Sequence, residues 1–129
     1  MRSKARETAF QYIYSTNFTG QNVNLLISLS NANELTKEDR SFCESLIKLV
    51  VENKSSLISS ISENLQNFSW DRVFLADKLI LLLGVAEMTY LTTPKKVCIS
   101  EYGNIASKYS AENSPNFVNG ILAKYYKEV

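Results

Sequence analysis

Apolar residues recur along this chain at intervals of three and four, the spacing that gathers them on one side of an α-helix. Residues 3–16 read as a first helix, with Ala5, Ala9, Tyr12 and Ile13 on one side. Residues 17–23 read as a turn centred on Gly20, followed by a short helix from Val23 to about Ser30 with Leu25, Leu26 and Leu29 as its apolar set. Asn31-Ala32-Asn33 breaks that helix. Thr36 followed by Asp39 marks the next start, because a hydroxyl cap and a first-turn acid both satisfy the exposed N–H end of a helix. From there Phe42, Leu46, Leu49, Val50, Leu57, Ile61 and Leu65 carry the pattern to about Asn67, as one long helix or as two joined near Asn53.

After Ser69 the segment 71–92 is apolar on most sides, which places it at the centre of the domain. Pro94 closes it, since proline cannot donate to a helix interior and disfavours helix in the residue before it. A further helix covers 97–109 and carries Val97, Ile105 and Tyr109. Ser114-Pro115 pairs a cap with a first helical residue. The last helix, 115–127, buries Phe117, Val118, Ile121, Leu122 and Tyr125. Within it Gly120 costs about 1 kcal/mol relative to alanine. That cost predicts a close backbone approach there, with Asn119 hydrogen-bonding across the contact. The expected fold is all-α: a compact bundle of six or seven helices forming a single domain over 1–129, either continuous or divided into two small sub-bundles sharing the central helix.

Composition removes several function classes. Of 129 residues, 45% are hydrophobic and 21% charged, which suits a globular chain with a real core. There is no histidine, so the commonest general base and metal ligand are missing, and the four glycines stand apart from one another, so there is no phosphate-cradling loop. Glu101 and Glu112 read as solvated carboxylates rather than an acid–base pair. No enzyme, cofactor or metal is expected. The two cysteines, Cys43 and Cys98, lack paired metal-ligand spacing and read as buried thiols, with a single disulfide as the alternative. The longest apolar run, Leu79 to Ala86, is eight residues, against roughly 20 for a membrane span. With no apolar signal core after the charged N-terminus, a cytoplasmic location is expected.

The net charge is only +1, so any nucleic-acid contact must come from a local patch. The first helix offers one. Arg2, Lys4 and Arg6 stand against a single acid, Glu7, and Arg2, Arg6, Phe10 and Tyr14 share an i+4 ridge. Guanidinium groups hold phosphates while rings stack on unpaired bases, the chemistry of single-stranded RNA binding. On this reading Arg6→Glu lowers RNA affinity and leaves the helices intact. The bland alternative is a solvated N-terminus with Phe10 in the core.

Four motifs, in order and spanning nearly the whole chain, resemble a known family. Ala5-Arg6-Glu7 with Ala9, Gln11 and Tyr14 is similar to the opening helix of the bacterial transcription antitermination factor NusB family. Trp70-Asp71-Arg72-Val73 with Ala76 through Leu81 resembles its central helix, and Val97 through Glu101 with Lys108 its fifth-helix motif. Ser114 with Phe117-Val118-Asn119-Gly120-Ile121-Leu122 and Lys124 resembles its C-terminal signature, the most specific of the four.

The resemblance implies two helical sub-bundles and a non-catalytic role. It implies binding of boxA single-stranded RNA together with NusE, a small-subunit ribosomal protein, within an RNA polymerase antitermination complex, notably on ribosomal RNA operons. Carried over by position, Arg2, Lys4 and Arg6 would contact phosphate with Tyr14 nearby, Asn113 and Phe117 would contact RNA, and Asp71 and Asp77 would face NusE. Without the family, Asp71 reads as a helix-start cap and Asp77 as a surface ion pair. The chain departs from the pattern at Ser3, which interrupts the opening cations, and at Leu82, Ala86 and Tyr102. A thinner cation run implies greater reliance on NusE. Monomer and homodimer both stay open. Two other readings compete: a non-catalytic module related to the N-terminal domain of an RNA cytosine methyltransferase, disfavoured because no cofactor domain follows Val129, and a structural helical protein without nucleic acid.

Overall fold

The three-and-four spacing becomes helices in a computed structural model that describes residues 2–17, 22–66 and 69–125. Seven α-helices are present among them: α1 (Arg2–Thr16), α2 (Val23–Ala32), α3 (Lys37–Glu52), α4 (Lys54–Ser62), α5 (Leu75–Tyr90), α6 (Lys95–Tyr109) and α7 (Ser114–Ala123), with a 3-10 turn at Trp70–Arg72. The turn expected around Gly20, and the end of the last helix expected at 126–127, lie outside the described residues.

The long pattern from Thr36 resolves into two helices. Thr36 caps α3 by accepting from the Asp39 N–H. At the other end both the backbone N–H and the side-chain amide of Asn53 donate to the Leu49 carbonyl. That local competition ends α3, and α4 begins at the next residue. The central segment starts its α-helix at Leu75 rather than 71, and its residues from Leu79 to Met88 are all buried, as expected of a central helix. The contacts fall into two groups that share α5: α1 with α2 and α3, joined by α4 on α5, and α6 with α7.

Several positions differ from expectation. Val97 is 41% exposed rather than core. Ser114 is the first residue of α7, not its cap, and Asn113 precedes it. The close approach predicted at Gly120 falls elsewhere. Gly120 is exposed, with no described atom within 4 Å of where a Cβ would stand. At Gly103 on α6 a Cβ would lie 2.7 Å from Asn119 Oδ1, and at Gly84 on α5 one would lie 3.1 Å from Leu122. Thus α7 does press against glycines, but they belong to its neighbours. Asn119 Oδ1 is buried and has no hydrogen-bond partner among the described residues, so it does not bond across the contact.

Opposite mutational effects follow. Gly120→Ala gains helix propensity without a clash and should raise stability by about 0.5–1 kcal/mol. Gly103→Val forces α6 from α7 and should lower it by about 1–3 kcal/mol. Urea unfolding of both variants checks the sign, and a stability loss in Gly120→Ala would contradict the placement.

Both thiols are fully buried and unbridged, Cys43 on α3 and Cys98 on α6. Burial is the main reason each is pushed up to about 12. No helix of the described residues is long and apolar enough to cross a membrane.

Candidate nucleic-acid interface

The cations of the first helix part company in the fold. Arg6 is 3% exposed. Its Nε and Nη2 donate to the two Glu87 oxygens at 2.8 and 2.7 Å, and Nη1 reaches Glu101 at 3.3 Å. Glu87, on α5, is itself fully buried and accepts from the Tyr102 hydroxyl at 2.7 Å. Arg6 therefore fastens α1 to α5 and α6, and the expectation that it contacts phosphate is corrected: its donors face inward and are occupied. Burial opposes the Glu87 charge, but the hydrogen bonds from Arg6, Tyr102 and Thr93 and the Arg6 charge outweigh it and hold the carboxyl below its ordinary range. Tyr102 is pushed well above its ordinary value by burial and by the Glu87 charge. Glu101, expected to be solvated, is instead a half-buried partner of Arg6.

Arg2 and Lys4 remain at the surface. The Arg2 guanidinium stands 4.4 Å from the centre of the Phe42 ring, a cation–π contact that fixes its height above α3. Lys4 lies 3.9 Å from Glu7. Glu7 also accepts from Lys108 at 2.6 Å and from the Tyr109 hydroxyl. Burial opposes the Glu7 charge, yet the bonds from Lys108 and Tyr109 prevail and its carboxyl is held low. The exposed Lys108 thereby joins Lys4 on one face. Tyr14, half exposed, stacks on the buried Phe10 at 5.7 Å between ring centres, and Phe10 meets Tyr109 at 5.0 Å. Phe10 is core, in keeping with the bland alternative.

The end of α6 leads to the other predicted patch. Asp77 on α5 is 3% exposed, so it does not form the surface ion pair expected of it. It accepts from Ser110 at 2.6 Å and from Ser114 at 3.0 Å, while the Ser114 hydroxyl also accepts from the Ala111 N–H. These bonds fix the 110–114 loop against α5. Beside the loop opens a groove of about 480 Å³ lined by Arg72, Val73, Phe74, Asp77, Asn113 and Phe117. Asn113 is exposed and Phe117 half-buried, so both remain reachable. Asp71 is exposed in the 3-10 turn and forms no side-chain cap there, with Phe74 and Leu75, 63% and 43% exposed, just beyond it. Among the described residues no cluster of metal-ligating side chains occurs.

The NusB family model matches residues 3–127. The chain belongs to the NusB family. The transcription antitermination protein NusB of Methylacidiphilum infernorum is 35% identical over 98% of this chain and 91% of its own length. That of Bacillus cereus strain B4264 is 34% identical over 95% and 94%. T. maritima NusB superposes with a TM-score of 0.88 at 28% identity, covering 99% of this chain and 92% of its own. A solved structure of antitermination factors NusB and NusE in complex with double-stranded RNA gives 0.84 at 27% identity, covering 97% and 95%. The NusB family is non-catalytic, and the helical bundle is the fold of its solved members.

Within this NusB-family fold, the predicted residues form two clusters. Asn113, Phe117 and Asp77 come together at one groove, with Asp71 nearby in sequence; Arg2, Lys4 and Tyr14 lie along α1. Sequence spacing misses the joining role of Lys108 and Tyr109, which connect the α1 face to the 110–114 loop. No local pattern signals a bond between residues about a hundred positions apart.

Proposed function

We propose that this protein is a transcription antitermination factor that binds boxA-type single-stranded RNA together with NusE. It acts as a single cytoplasmic domain within an RNA polymerase antitermination complex, notably on ribosomal RNA operons. The observation that supports the reading is its likeness, over 97% of its length, to a chain of the solved structure of antitermination factors NusB and NusE with double-stranded RNA. No covalent step is involved. Arg2, Lys4 and Lys108 supply phosphate contacts. Tyr14 and Phe117 supply ring faces for unpaired bases, and Asn113 supplies an amide for a base edge. The exposed Asp71, Phe74 and Leu75 form a mixed acidic and apolar patch suited to NusE. Asp77 serves the same site from behind, by holding the 110–114 loop.

With a net charge of +1 the chain has little long-range attraction for RNA. Joint binding with NusE is therefore expected to be tighter than binding alone, by about tenfold or more, the size of a typical coupling between sites. Titration of labelled boxA RNA with and without NusE at physiological salt measures it, and equal affinities would refute joint binding. The pair Arg2→Glu with Lys4→Glu should weaken RNA binding and flatten its salt dependence by about 0.7 for each phosphate left without its cation, with unchanged circular dichroism. Wild-type affinity in that variant would remove α1 from the site.

A further inference from the structure

A groove of about 670 Å³ lies between the N-terminal halves of α1 and α3 and the connection from α5 to α6. Of the loop-and-α1 surface described above it shares only Arg2. Its walls include Arg2, Lys37, Ser41, Phe42, Ser45 and Thr92. We propose that this groove is a second RNA subsite, taking the sugar-phosphate of nucleotides that continue beyond the stretch held along α1 and α7. The proposal rests on the RNA-binding reading and extends it.

The chemistry of the walls favours a phosphodiester. Lys37, an exposed ammonium on α3, faces the same groove as the exposed Arg2 guanidinium. One carboxylate, Glu38, also lines it, leaving two cations against one acid. Ser41 and Ser45 stand one turn apart on α3 and Thr92 stands opposite. Hydroxyls of this kind donate to phosphate oxygens and exchange hydrogen bonds with a ribose 2′-hydroxyl. The volume falls within the roughly 300–1,000 Å³ of sites that enclose small ligands.

The walls are also held in advance. Phe42 is 8% exposed and lies beneath Arg2, while Arg6 approaches the same ring to 5.3 Å. Thr93, the residue after Thr92, bonds Glu87 through its side chain. The Arg6–Glu87 pair thus anchors both the ring under Arg2 and the connection that forms the far wall. A groove fixed before binding loses less on ordering its ligand. Arg2 belongs to both surfaces, so a strand leaving α1 passes directly into this groove.

The test uses the protein with NusE and two fluorescently labelled RNAs, a boxA-type core and the same core extended by about four nucleotides at each end. The wild-type protein should bind the extended RNA roughly three- to tenfold more tightly, with a steeper salt dependence by about 0.7 for each further phosphate held. The double variant Lys37→Glu with Ser41→Glu alters only exposed side chains on α3, and it should bind both RNAs equally. No gain in the wild type, or a gain that survives in the double variant, would overturn the subsite. Failure of the wild type to bind either RNA would instead overturn the antitermination reading itself.

Discussion

Glu87→Ala should lower the stability of the fold by about 3–5 kcal/mol, a large part of the roughly 5–15 kcal/mol that a domain of this kind holds. The carboxylate is fully buried between α1, α5 and α6, and its loss leaves the Arg6 guanidinium without its bidentate partner and the Tyr102 hydroxyl without its acceptor. An unpaired charge in the interior costs far more than an absent pair. The apolar double replacement Arg6→Met with Glu87→Leu should therefore lose less than Glu87→Ala alone. Urea unfolding of the two variants decides the matter, and a single-variant loss below about 1 kcal/mol would show the pair to be dispensable. By the same reasoning Arg6→Glu places three carboxylates together and disrupts the fold, so it cannot serve as the probe of RNA contact that the sequence alone suggests.

The pH dependence has a definite sign. Glu87 and Glu7 are both held below their ordinary value of 4.5 in the folded state. A depressed carboxylate contributes stability that is fully present above its unfolded pKa and lost as pH falls through its folded one. Stability is expected to be level from neutrality down to about pH 5.5, and then to decline as the solution is acidified past about 4.5. In Glu87→Gln that acid decline should be shallower.

Asp77→Ala should cost about 2–3 kcal/mol, because it removes a charged acceptor from two hydroxyls. Its functional effect should exceed that of an exposed acid such as Asp71. Ser110 and Ser114 bracket the loop that carries Asn113 and leads to Phe117, so releasing them changes the shape of the groove rather than one contact in it. RNA affinity in the presence of NusE should fall several-fold, while Asp77→Asn, which keeps an acceptor oxygen, should recover most of both losses. Equal RNA binding by wild type and Asp77→Ala would separate the loop from the interface.

The helices were legible because each signal lay within one turn of its effect: the Thr36 cap, the Asn53 break, the apolar run of α5. The positions of the candidate site residues were legible only in part. Counting cations in the first helix could not distinguish Arg6 from Arg2, because what separates them is a carboxylate 81 residues away. Asp77 looked like a surface acid for the same reason, its hydroxyl partners lying on a loop that folds back much later in the chain. Gly120 carried the right idea at the wrong residue: α7 does press closely on its neighbours, but the glycines that admit it are Gly84 and Gly103. Tertiary partners remote in sequence leave no periodic trace, whereas helix caps and apolar faces do.

The two enclosed thiols give the protein its own clocks. Cys43 reports from α3, and Cys98 from α6, beside the buried Arg6–Glu87 pair. Only a thiolate reacts with an alkylating reagent, so each sulfur is silent until its surroundings part and water restores its ordinary acidity. The time course of alkylation at each site therefore records how often that part of the molecule opens. Comparing the two, with and without RNA and NusE, would reveal whether binding quiets the whole bundle or only the half it touches.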